Sequence, residues 1–145
     1  MIRKAKRPAL KLTRQISSQL EQVDSLCVEI RALLKEKGLE SASFGTELMA
    51  RECLNNAVIH GNQKKEGKRV CLNLGSTRDW VFLQVADEGE GFNWRTGGKA
   101  APLDSDAPSG RGILIISATA DRVRFNRKGN QIALWIRKQR KTSGK

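Results

Sequence analysis

The order of apolar patterns along this 145-residue chain predicts an α+β fold, a two-layer sandwich in which a mostly antiparallel sheet is covered on one face by helices. Three observations carry that prediction. Short runs with apolar residues at every second position recur in pairs, as hairpin strands require. Two segments in the first half repeat apolar residues at helical spacing instead. The resulting order is strand, two helices, two strands, a long loop, a helix and two strands, with neither an internal repeat nor a second domain.

Leu10 and Leu12 alternate with polar neighbours and predict a first strand at about 9–16. Ser18 and Glu21 have capping-box spacing and open a helix whose buried stripe is Leu20, Val23, Cys27, Ile30 and Leu34. Gly38 follows as its C-terminal cap. A second helix is predicted from Phe44 to His60, stopped by Gly61. Val70, Leu72 and Leu74 then alternate, as do Val81, Leu83 and Val85, with 75–79 as the hairpin connection. Residues 89–112 hold six glycines, Pro102 and Pro108, a long irregular loop of the kind that serves function. A short apolar helix at 112–120 follows. The last hairpin has Val123 and Phe125 on one strand, Ile132, Leu134 and Ile136 on the other, and Lys128-Gly129-Asn130 between them.

Composition sets the class. Hydrophobic residues make up 39% and charged residues 29%, the balance of one globular domain, placed at 9–138 between basic tails at 1–8 and 139–145. No apolar run approaches the roughly 18 residues of a membrane span, and Met1 leads into Ile2-Arg3-Lys4, so a cytoplasmic protein with no membrane partner is expected. Cys27, Cys53 and Cys71 are odd in number and set in apolar patterns, which fits reduced core thiols. The net charge of +12 resides at the ends: residues 1–14 carry six cations and 137–145 carry five, while 15–136 holds 16 basic and 15 acidic residues. Neither tail has an aromatic residue for base stacking, so direct nucleic-acid binding is not expected.

Three features point to chemistry. On the second helix, Ala50, Cys53, Leu54, Ala57 and Val58 form an apolar face, bordered by Glu52, Asn56 and His60 at i, i+4 and i+8. Met49 and Ile59 flank that stripe, which suits either a partly dry cleft or a solvated helix edge. After the Val81–Val85 strand comes Asp87-Glu88-Gly89-Glu90-Gly91, a carboxylate at a strand end followed by glycines that permit close backbone approach. It lacks the oxygen ligands of an EF-hand loop and the third glycine of a dinucleotide fingerprint, where Trp94 stands. Before the short apolar helix, Gly110-Arg111-Gly112 offers free backbone amides and a planar cation suited to phosphate. No Walker A sequence occurs, which excludes a P-loop enzyme.

In that order, Glu52 with Asn56, Asp87-x-Gly89-x-Gly91 and Gly110-x-Gly112 resemble the N, G1 and G2 boxes of the histidine-kinase-like ATPase superfamily, whose fold is of the Bergerat type. Within it, Glu52-Cys53-Leu54-Asn55-Asn56-Ala57, the His60-Gly61-Asn62 ending and Ala120-Asp121-Arg122-Val123-Arg124-Phe125 are most similar to bacterial anti-sigma factor serine/threonine kinases. The resemblance implies ATP and Mg²⁺ as cofactors. It implies Asn56 as metal ligand, Asp87 as acceptor for the adenine amine, and Gly89 and Gly91 beside the base. Gly110, Arg111 and Gly112 would close on the phosphates, with 93–109 as a lid and Glu52 as general base. It further implies phosphorylation of an anti-sigma antagonist (STAS-domain) protein, sequestration of a sigma factor, and a homodimer. A nucleotide-gated binding module with little phosphotransfer is the alternative.

Overall fold

The computed structural model describes residues 9–91, 116 and 118–138. Five strands form one sheet: β1 (Lys11–Ser17), β2 (Arg69–Ser76), β3 (Trp80–Ala86), β4 (Arg122–Phe125) and β5 (Gln131–Arg137). Their spatial order is β1-β2-β3-β5-β4, and every pair is antiparallel. Two helices, α1 (Leu20–Glu36) and α2 (Ser43–Asn56), supply the second layer. The α+β two-layer arrangement is the one that the apolar patterns predict.

Pairing register explains where the core sits. Leu12, Leu74, Leu83, Leu134 and Val123 stand opposite one another in a single row across all five strands. The first four are buried under the helices, while Val123, on the edge strand, is 37% exposed. Against this face α1 packs Val23, Leu26, Cys27, Ile30 and Leu34, and α2 packs Met49, Ala50, Cys53 and Leu54. The predicted stripes of both helices are therefore inside, with Leu20 only partly buried and Leu26 added. The ion pairs Arg14–Glu29, Arg31–Glu47 and Arg51–Asp24 link β1 to α1 and α1 to α2. They lie at the surface, so they set the alignment of the elements more than they stabilise the fold.

Helix ends separate local from tertiary control. Gly38 adopts φ 73°, and the amides of Gly38 and Leu39 reach back to the carbonyls of Lys35 (3.1 Å) and Leu34 (2.8 Å). That is the Schellman closure, which needs a left-handed residue at this place. The predicted capping box at the other end does not form. The N-cap is Gln19, with no side-chain cap, and the Ser18 hydroxyl instead donates to the Lys68 carbonyl at 2.7 Å. Ser18 is buried, so a tertiary acceptor takes its hydroxyl in preference to the local amide.

Gly75 also departs from expectation. It belongs to β2 and not to the connecting turn, and a Cβ there would collide with the Phe82 ring lying across it. Cys27 and Cys53 are buried thiols, whereas Cys71 is partly exposed on the outward face of β2. Burial pushes the Cys27 and Cys53 thiols up, which keeps both protonated. Of the helix predicted at 112–120, the described part shows Ile116 buried in the core and a helical bond from the Ala120 amide to the Ile116 carbonyl at 2.8 Å. No helix among the described residues is long and apolar enough to cross a membrane.

Candidate functional site

The site begins where α2 stops being regular. Beyond Asn56 the turn Ala57–Gly61 widens: the Asn62 amide reaches the Ala57 carbonyl, five residues back, at 2.7 Å. The Lys64 amide bonds the Val58 carbonyl at 2.8 Å, and Gln63 and Lys64 take left-handed φ values of 55° and 56°. Such wide turns have poorer hydrogen-bond geometry and concentrate at functional positions. Upstream, Glu52 and Asn56 stand one regular turn apart and partly exposed, beside buried Cys53, Leu54 and Ala57. His60 falls inside the widened turn, out of line with them, and is exposed. The predicted stripe of three is thus a pair, because the helical period changes before its third member.

Asp87 lies at the other wall. Its amide donates to the Asn130 carbonyl at 2.9 Å, and the Asn130 side-chain amide returns a bond to the Asp87 carbonyl at 3.1 Å. These bonds extend the β3–β5 ladder by one residue and hold the carboxylate at the sheet's end. The Gly89 amide donates to Oδ1 at 2.7 Å, and no described residue donates to Oδ2. Burial pushes the Asp87 carboxyl above its ordinary range, opposed by the Gly89 amide and by Lys128 and Lys68.

Three glycines let the walls meet. A Cβ on Gly61 would collide with the Asp87 carboxylate, and one on Gly89 with the Gly61 carbonyl. Gly91, at φ 83°, lies against the Lys128 carbonyl. The end of α2, the Asp87–Gly91 loop and the β4–β5 turn therefore touch through backbone. Gly61 is five residues beyond Asn56 and nine beyond Glu52. The amide therefore stands nearer than the acid to the Asp87 contact along the helix.

Asn62, fully buried, is the functional residue whose role the sequence reading missed. Its Nδ2 donates to the Ser18 hydroxyl and to the Arg69 carbonyl, both at 2.9 Å, and its Oδ1 accepts the Glu88 amide at 2.8 Å. One side chain thus fastens the α2 terminus to the β1–α1 junction, to the start of β2 and to the Asp87 loop. The only sequence signal was its place after His60-Gly61 at a helix end. Asn62→Ala strands those partners and opens a cavity, so unfolding in urea should show a loss of about 3 kcal/mol.

Among the described residues no three His, Cys, Asp or Glu side chains cluster to hold a metal. A hard cation here would take oxygen from the Asn56 amide and from a ligand's phosphates. A half-buried carboxylate, to whose Oδ2 no described residue donates, thus stands at one end, with an amide and an acid farther along the helix. Gly110, Arg111, Gly112 and the 93–109 segment lie outside the described residues. Compared with known families, residues 16–138 match the model described as a histidine kinase-like ATPase domain. No curated protein matches the chain.

Proposed function

The chain belongs to the histidine kinase-like ATPase domain family, and on that premise we propose that it is an ATP-dependent serine/threonine protein kinase that also acts as an anti-sigma factor. ATP binding and phosphotransfer of a general kind follow from the family. The protein substrate and the partner come from the sequence resemblance alone. The observation that carries the ATP reading is the Asp87 carboxylate, half-buried at the sheet's end with no described donor on Oδ2 and abutted by the helix that bears Asn56 and Glu52.

Each residue has a task in this reading. Asp87 accepts the exocyclic amine of adenine; guanine presents a carbonyl there, which would leave two acceptors facing each other. Asn56 offers a neutral oxygen to Mg²⁺, which when bound neutralises phosphate charge. Glu52 orients and deprotonates a serine hydroxyl on the partner. Gly110, Arg111 and Gly112 close over the phosphates. The partner is a STAS-domain antagonist of a sigma-factor complex, and the working form is a homodimer.

The test is incubation with Mg²⁺ and γ-labelled ATP beside candidate antagonist proteins. Label on a serine or threonine of one antagonist is expected, absent with Asn56→Ala. ATP binding with no transfer to any candidate would replace this reading by a nucleotide-gated binding module.

A further inference from the structure

The sheet face turned away from the helices carries a second set of chemistry. Strand register places Phe82 directly opposite Trp135, and Trp80, two residues along β3, opposite Arg137. All three aromatic side chains are partly exposed. The Phe82 ring lies across Gly75. Arg137 stacks its guanidinium 4.6 Å from the centre of the Trp80 ring. Arg122 faces Trp135 from the edge strand, and Arg124 follows on the same side. No Asp or Glu occupies an outward position of any of the five strands, whereas exposed α1 positions include Glu21, Asp24 and Glu36. Arginines and flat rings thus share a face whose strand positions carry no acid.

We propose that this sheet face, which no described helix covers, binds single-stranded nucleic acid, with bases stacked on Phe82 and Trp135 and phosphates held by Arg122, Arg124 and Arg137. A strand with negative charge at every link and a π-face on every base complements both features at once. An acidic polypeptide would answer the cations but leave the rings unmatched. A second copy of the same face would set arginine against arginine. The tails give little support to single-strand recognition, because their cations lack aromatic neighbours. The fold supplies the aromatics from the middle of the chain.

The test uses the full chain, tails included, and fluorescence-labelled dodecamers of uridine and thymidine. Wild-type protein should bind them with quenching of its tryptophan emission. Trp135→Leu should weaken binding at least about tenfold. The double variant Arg122→Gln/Arg124→Gln should flatten the plot of log affinity against log salt by roughly 1.4, about 0.7 for each lost phosphate contact. Both variants should keep the wild-type melting temperature and ATP affinity, since neither position touches the Asp87 corner. Wild-type affinity and salt slope in both variants would overturn the proposal, leaving the tails as the binding element. Equal competition by polyglutamate of the same charge, with no dependence on Trp135, would overturn it in favour of an acidic protein partner.

Discussion

Asp87→Asn should lower ATP affinity by about a hundredfold in a titration at neutral pH, while the protein stays folded. The carboxylate has two acceptor oxygens: Oδ1 takes the Gly89 amide, no described residue donates to Oδ2, and the proposed reading gives Oδ2 to the adenine amine. A side-chain amide has one. Whichever way it turns, either the Gly89 amide or the nucleotide amine meets an N–H group in place of an acceptor. Stability should respond in the opposite sense. Burial raises the Asp87 carboxyl in the native state, so its ionised form is less favourable there than in the unfolded chain. A raised carboxyl contributes stability that is present below its ordinary value and lost as pH rises through the native one. The uncharged amide has no such loss. The variant should therefore melt no lower than wild type at pH 7, and any advantage should shrink as the pH falls into the acid range. A melting curve beside each titration separates lost recognition from lost fold.

Glu52→Gln should lower phosphotransfer by about two to four orders of magnitude, with ATP affinity changed by no more than about twofold. Glu52 stands one turn from Asn56 and farther than it from the Asp87 contact, on a stretch of α2 whose buried neighbours Cys53 and Leu54 fix its direction. The amide keeps the size and polarity of the acid and removes only the basic oxygen. Asn56→Ala should behave differently, losing Mg²⁺-dependent affinity as well as transfer, because in the proposed reading its part is to hold the phosphate end. Single-turnover rates and equilibrium titrations on the same preparations separate the two roles. Equal losses of binding in both variants would make Glu52 a phosphate-site residue and not a base.

What could be read from sequence divides along the range of the forces involved. Gly38 was legible because a Schellman closure needs one left-handed residue and two backbone bonds, all within six positions. The buried stripes of α1 and α2 were legible because helical period alone decides them. Ser18 was misread because its hydroxyl serves the Lys68 carbonyl, fifty residues away, which no local pattern announces. His60 leaves the i+8 line because the helix widens after Asn56, and a three-residue stripe assumes an unchanging period. Asn62 could not be assigned its role from spacing: its partners Ser18, Arg69 and Glu88 come from three separate segments.

The candidate site follows the same division. Asp87, Gly89 and Gly91 stood out as a carboxylate and glycines after a strand. The reason for the glycines emerges only in three dimensions, where Gly61 and Lys128 press against them. The outward aromatics were hidden for a related cause. Alternation says which residues face in, but only register shows that Phe82 and Trp135 meet and that arginines flank them.

The most direct measurement is calorimetric titration of the wild-type protein with MgATP and, separately, with MgGTP. Recognition of the adenine amine by Asp87 predicts one site per chain for ATP and an affinity for GTP lower by about a hundredfold or more. Equal affinity for the two nucleotides, or no binding of ATP, would contradict the account.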